Sequence, residues 1–198
     1  MQEFKTKTII VGAGAVGLAV ARELSLKKME TIIIEEMGEF GTLTSSRNSG
    51  VIHAGIYYKT NSLKSKFCVK GNNLLYEYAK QFNIPHKNTK KILVASSEDQ
   101  INEIDRIKDQ GSTNGVKNIE KLSEVQVSNL EPLIKCKEGL LIPSTGIIDS
   151  ISYMRSLVGE IEENGNMIAY NCSVEKVYLD NEDFIVIVKN IKDKEIYK

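Results

Sequence analysis

Thr8-Ile9-Ile10-Val11-Gly12-Ala13-Gly14-Ala15-Val16-Gly17-Leu18-Ala19-Val20-Ala21-Arg22-Glu23-Leu24, read with Thr31-Ile32-Ile33-Ile34-Glu35, decides the fold. A short β-branched run predicts a strand covered on both faces, as in a parallel sheet. The glycine turn that follows opens a stretch of helix formers, and a second β-branched run ends in an acid. Strand, G-x-G-x-x-G, helix, strand and acid arrive in the order of a dinucleotide-binding βαβ unit. Gly12 allows the tight turn, Gly14 lets backbone approach a pyrophosphate, and Gly17 lets helix and strand pack closely. Ala13, Ala15 and Val16 share that loop, whose free N–H groups and helix dipole suit phosphates. Glu35 lies 23 positions after Gly12, where a carboxylate can accept from a ribose diol. The acid, with Glu36 beside it, disfavours a 2′-phosphate. The unit alone does not separate NAD from FAD.

Outward from this unit, Thr44–Tyr58 is dense in small polar residues and glycine, then turns apolar. Ser45, Ser46 and Ser49 offer hydroxyls, and Arg47 and Asn48 offer donors, enough to wrap a second phosphate and a ribityl chain. A Ser-capped helix start is the alternative for Ser45-Ser46. It leaves Gly50, Val51 and the remainder without a reason.

On these residues the chain resembles the FAD-dependent amino-acid and hydroxy-acid oxidoreductases of the D-amino-acid-oxidase type. It is most similar to the L-2-hydroxyglutarate dehydrogenase/oxidase group. The carrying stretches are VGAGAVGLAVARELS, IIIEE, SSRNSGVIHAGIYY, SLKSKFCVKGNNLLYEYAKQFNIPH, KILVASSE, LEP at 130–132 and IPSTGIID at 142–149. The resemblance implies FAD as cofactor, with Gly12, Gly14 and Gly17 around the pyrophosphate and Glu35 on the adenosine ribose. It also implies that Ser45, Ser46, Arg47, Asn48, Ser49, Gly50 and Val51 line the path to the isoalloxazine, and that Val174 touches adenine through its backbone. Arg47 stands where the best-characterised hydroxyglutarate members tend to carry His and related members of uncertain substrate carry Arg, and Lys90-Lys91 where related sequences often carry Gly-Lys. The first departure loosens the substrate assignment and leaves the flavin assignment intact.

The implied reaction is oxidation of a 2-hydroxy acid, L-2-hydroxyglutarate to 2-oxoglutarate first among them, with oxygen or a quinone taking the electrons. Such chemistry needs a hydride acceptor and a base for the hydroxyl proton. Of the two histidines, His53 lies in the flavin loop and is the candidate base. His86 follows Pro85 at a helix end and reads as a surface or cap residue. An amino-acid oxidase of the same fold is the alternative reading, as is a non-catalytic FAD-binding fragment or subunit completed by a partner chain.

The remaining pattern predicts a helix over 62–82, with Phe67, Gly71, Leu74, Leu75, Tyr78 and Phe82 on its apolar face. A strand follows at Ile92–Ala95, then a helix capped by Ser97 and ending near Gly111, and a strand from Gly115-Val116. Ser123 caps a further helix, Gly139–Pro143 is a strand, and a helix carries Ile151 to Ile161. Met167–Tyr178 and Phe184–Val188 form a hairpin. The fold class is α/β: a Rossmann-like FAD-binding domain with an inserted, incomplete α+β substrate domain. The expected division is 1–85 with 145–198 for the FAD-binding domain, and 86–144 for part of the substrate domain. Family members run to roughly twice this length, so a fragment, a split gene product or a decayed copy is expected. A second polypeptide would then supply the missing half.

Composition adds exclusions. The 198 residues carry 26 basic and 26 acidic side chains, and zero net charge argues against nucleic acid as a partner. Residues 61–95 hold Lys64, Lys66, Lys70, Lys80, Lys87, Lys90 and Lys91 against Glu77 alone, which reads as a solvated face or as one turned to an anionic partner. Cys68, Cys136 and Cys172 have no disulfide or zinc spacing, so a reducing compartment is expected and no metal. No apolar run reaches the ~18–20 residues of a membrane span. The expected location is cytoplasmic, with peripheral contact to the inner membrane left open.

Overall fold

The computed structural model describes residues 2–198. In chain order the elements are β1 (Thr8–Val11), α1 (Ala15–Leu26), β2 (Thr31–Ile34), β3 (Val51–Ile52), α2 (Leu63–Gln81), β4 (His86–Lys87), β5 (Lys91–Ala95), α3 (Ile101–Thr113), β6 (Glu120–Ser123), α4 (Glu124–Leu130), β7 (Glu138–Ile142), β8 (Gly146–Ile148), α5 (Ser150–Glu163), β9 (Met167–Ala169), β10 (Cys172–Asp180), β11 (Asp183–Asn190) and β12 (Ile196–Tyr197). They fall into two compact units, 2–48 with 150–198, and 49–149. The sequence reading divides the chain at 85/86 and 144/145. The compact units divide it earlier and later because β3 and β4 both pair with β8. Residues 49–85 therefore share strands and core with 86–149.

In the first unit, β1, β2 and β9 form a parallel sheet in that order. β1 and β2 run in register from Thr8–Thr31 to Val11–Ile34. β1 was expected to be covered on both faces. It is instead the edge of this sheet, half-buried, with Val11 64% exposed. Helix α1 buries Leu18, Ala21 and Ser25, and α5 buries Met154, Leu157 and Ile161. The two helices are tied by Arg22, whose guanidinium donates to both Glu160 oxygens at 2.5 and 3.1 Å.

A buried polar network closes the far end of the sheet. The Asn166 amide donates to Ser25 Oγ at 2.7 Å, and its carbonyl accepts from Thr31 N–H at 2.8 Å. Ser25 Oγ in turn donates to the Ala21 carbonyl. One side chain thereby joins the end of α1, the start of β2 and the approach to β9. The expected continuous strand Met167–Tyr178 is two strands, since the chain breaks at Tyr170-Asn171, where Asn171 adopts φ 57°. β10 and β11 then form the hairpin read from the sequence, closing at Asp180–Asp183.

The second unit holds two antiparallel sheets, β3-β8-β4 and β5-β7-β6. Its core gathers Ala54, Ile56, Ala95, Ile104, Ile107, Val116, Leu140 and Ile142. Ser123 and Gln126 form a reciprocal capping box at α4, as the pattern predicts. Ser97 makes no side-chain cap; a 3-10 turn at Glu98–Gln100 leads into α3, and the Gln100 side chain accepts from Ser96 N–H. No strand starts at Gly115-Val116. Gly115 and Val116 N–H donate to the Ser112 and Gly111 carbonyls and end α3 in a Schellman motif, while Val116 turns into the core.

Helix α2 departs most from its pattern. Phe67 and Leu74, expected inside, are 65% and 52% exposed, and the buried stripe runs through Ser65, Asn72 and Ala79. Asn72 Nδ2 donates to the His53 carbonyl at 3.1 Å and the Ser144 carbonyl at 2.9 Å. The helix is seated by an amide and small residues, which a search for apolar periodicity passes over.

Asn166→Ala leaves the buried Thr31 N–H without an acceptor and should lower stability by about 1–3 kcal/mol, read as a reduced urea midpoint at constant slope. Lys90 holds φ 60°, a left-handed conformation that costs an L-residue roughly 1–2 kcal/mol. Lys90→Gly should therefore raise the urea midpoint by an amount equivalent to about 0.5–1 kcal/mol once the looser unfolded chain is counted.

Candidate functional site: a nucleotide cradle and a cationic cavity

The first unit carries Gly12 through Gly17, Glu35, Ser45 to Asn48 and Val174. At the carboxyl end of β1 the chain turns at Gly12, whose φ is 98°. A Cβ on Gly17 would stand 2.1 Å from the Gly12 carbonyl oxygen, so only glycine permits this approach of helix to turn. Gly14 is the N-cap of α1 and offers no side-chain cap. The first intrahelical bond runs from Leu18 N–H to the Gly14 carbonyl. The N–H groups of Val16 and Gly17 precede it and lie at the positive end of the helix. Ala15 N–H donates to Ser45 Oγ at 3.0 Å. Ser45 thus stands at the loop, as does Gly41, whose N–H donates to the Ala13 carbonyl.

Glu35 is 8% exposed. One of its oxygens accepts from Ala13 N–H at 2.7 Å, the other from Met37 N–H at 2.8 Å. The acid read from spacing as a ribose acceptor therefore also binds the two turns that leave β1 and β2. Each carboxylate oxygen has a second lone pair, so the group can accept from a diol as well. A cavity of about 470 Å³ opens in the same unit, lined by Gly38, Glu39, Phe40, Gly41, Ser46, Arg155 and Tyr170 among others. Burial pushes the Tyr170 hydroxyl up from its usual value, and the carboxylates of Glu162, Glu35 and Glu39 push it further.

Of the remaining residues, Ser46, Arg47 and Asn48 are exposed. Ser46 Oγ donates to the Leu43 carbonyl, and Asn48 Nδ2 to the Ser45 carbonyl and Ser150 Oγ. Val174 sits half-buried in β10 opposite Val188, beside a cluster of Ile34, Cys172 and Val188. The flavin-loop stretch continues into the second unit with Ser49, Gly50 and Val51. There the Gly50 carbonyl accepts from Ile148 N–H at 2.8 Å, and Val51 pairs with Ile147.

His53 lines a second cavity, of about 330 Å³, with Val51, Tyr57, Tyr58, Thr89, Lys90, Lys91 and Thr145. Its side chain is exposed and its carbonyl is held by Asn72. Asn72 is the site residue that sequence reasoning missed; the available signal was an amide pair, Asn72-Asn73, inside a helix that gains little from amides. His86 is elsewhere, in the short strand β4, its ring edge-on to Tyr76. The Cys68 and Cys172 thiols are pushed up by burial, which leaves them protonated and poor nucleophiles.

The chain as a whole has relatives among known proteins. Residues 7–196 match the family described as FAD dependent oxidoreductase. The mitochondrial L-2-hydroxyglutarate dehydrogenase of Arabidopsis thaliana is 47% identical over 154 residues, covering 78% of this chain and 32% of that protein. Its Homo sapiens namesake is 33% identical over 199 residues, covering 95% of this chain and 43% of that protein. The chain thus spans between a third and half the length of these relatives. Among solved structures, the FAD-bound L-alpha-glycerophosphate oxidase of Mycoplasma pneumoniae superposes with a TM-score of 0.87 at 26% identity, over all of this chain and 53% of that one. The L-proline dehydrogenase of P. horikoshii, 18% identical, shares the fold with a TM-score of 0.83 over all of this chain and 51% of its own. The fold is Rossmann-like, and the chain belongs to the FAD dependent oxidoreductase family.

Proposed function

We propose that this chain binds FAD and serves the oxidation of a 2-hydroxy acid, with L-2-hydroxyglutarate to 2-oxoglutarate the first reaction to test. The observation that carries the reading is the cradle at Gly12–Gly17, where glycines permit close backbone approach, opening on the N-terminus of α1 and braced by the buried Glu35 carboxylate. That donor set fits a dinucleotide: backbone N–H groups for the pyrophosphate and a carboxylate for the ribose diol. FAD, when bound, supplies the two-electron acceptor. Ser45, at the same loop, orients its hydroxyl against Ala15 N–H.

His53 is proposed as the base. A 2-hydroxy acid loses its α-hydrogen with the bonding pair, its hydroxyl loses a proton, and the carbon–oxygen bond becomes a carbonyl. The imidazole takes that proton. The hydrogen bond from Asn72 to the His53 carbonyl fixes the backbone from which the ring projects. The names of the Arabidopsis and human relatives support the substrate, and their greater length makes activity a property to be measured on this chain rather than carried over.

Purified chain reconstituted with FAD should show the flavin absorption bands, and anaerobic L-2-hydroxyglutarate should bleach them. Protein that stays colourless would remove the cofactor from this reading, whereas bleaching by amino acids alone would reassign the substrate class. Gly17→Ala drives a methyl group into the Gly12 carbonyl and should abolish FAD retention on gel filtration. His53→Ala should keep the colour and slow bleaching by roughly 10²-fold or more.

A further inference from the structure

The cavity that holds His53 has a second chemical character. Its wall carries Lys90 and Lys91 and contains no Asp or Glu. Among the described residues no carboxylate pairs with either lysine. Lys91 is half-buried and is the first residue of β5, where it pairs with Ile142 of β7. The edge strand of a sheet, not a loop, sets the position of its backbone. Its ammonium donates to the Tyr57 hydroxyl at 2.8 Å and lies 4.4 Å from the centre of that ring.

The donors that remain at this pair all face one way chemically. An ammonium has three N–H groups, of which Tyr57 takes one; the Tyr57 hydroxyl, having accepted, keeps its own proton to give. Two N–H donors and one O–H donor, beside a positive charge, fit a carboxylate. The cavity, at about 330 Å³, is at the small end of ligand pockets and suits a short-chain acid. A monocarboxylic hydroxy acid has a single carboxylate for the whole cavity, whereas a dicarboxylic one carries a second that Lys91 can pair with while the first stays beside the reacting carbon.

Resting on the hydroxy-acid reading above, we infer that Lys91, steadied by Tyr57, binds the carboxylate remote from the reacting carbon and so selects a dicarboxylic 2-hydroxy acid over its monocarboxylic counterpart. Lys91 is on this account a specificity residue, and the proton chemistry stays with His53. Lys90 adds positive charge at the same wall, on a backbone held in place by bonds from its N–H to the Thr145 carbonyl and Asn88 Oδ1.

Calorimetric titration of the FAD-loaded chain with glutarate and butyrate tests this without turnover. Wild type should bind glutarate at least about 10-fold more tightly than butyrate, the scale of one charge-paired contact. Lys91→Met should bring glutarate down to the butyrate level and leave butyrate unchanged, while Lys91→Arg should restore most of the preference. Equal glutarate affinity in wild type and Lys91→Met, or no preference in wild type, would overturn the assignment. Circular dichroism of the Met variant separates a lost contact from a lost fold, and the Arg variant tests charge with the fold kept. Flavin reduction distinguishes the two claims. If L-2-hydroxyglutarate bleaches Lys91→Met at unchanged half-saturation, the subsite falls and the hydroxy-acid reading stands. If glutarate binding depends on Lys91 but no hydroxy acid bleaches the flavin, the subsite stands and the redox reading falls.

Discussion

The Glu35 carboxylate is the constraint on which the nucleotide end of this chain depends. It is nearly dry, and both its oxygens accept backbone N–H groups, from Ala13 in the turn after β1 and from Met37 in the turn after β2. Burying a charge is costly unless every lone pair finds a donor, and two charge-assisted bonds offset that cost here. What they achieve is geometric. Together with the bond from Gly41 N–H to the Ala13 carbonyl, one carboxylate ties the loops that end two parallel strands. The glycine turn is therefore braced before any ligand arrives, and the entropy of ordering it is spent in folding rather than in binding.

Backbone constraint of this kind also governs which parts of the molecule are legible in the sequence. Where backbone geometry demands a residue type, the residue announces it. Gly12 and Gly17 mark a turn and a close approach, the β-branched runs mark β1 and β2, and Ser123 with Gln126 marks the start of α4. The spacing of Glu35 speaks of a ligand and says nothing about the two backbone N–H groups its carboxylate accepts from. Apolar periodicity misled on α2. Phe67 and Leu74 fall on a regular face, yet the helix is seated through Asn72, which donates to two carbonyls of the chain, through its small neighbours, and through Val69 against the core.

Other departures have equally local causes. The strand expected at Gly115-Val116 became a helix ending, since a Gly-Val pair reads alike whether the chain is leaving a helix or entering a strand; the Schellman bonds to Ser112 and Gly111 decide it. Tyr170-Asn171 interrupts what looked like one long strand because Asn tolerates the left-handed backbone that carries the chain out of one sheet and into another. The pairing of Tyr57 with Lys91 could not be read at all, as the two lie far apart in sequence and meet through the folding of the second unit.

The second unit enters the chain and leaves it side by side. Gly50 and Ile148 share a hydrogen bond, and β3 and β8 are paired strands, so residues 49–149 begin and end within one ladder. For a gene, this is a cassette with two adjacent joints. A segment whose ends already meet can be lengthened, trimmed or exchanged at its inner loops without altering the spacing of the residues that flank it. Recombination could thus trade one acid-reading cavity for another while the codons for the glycine turn and Glu35 stay untouched, and a chimera-builder has the same two cut points.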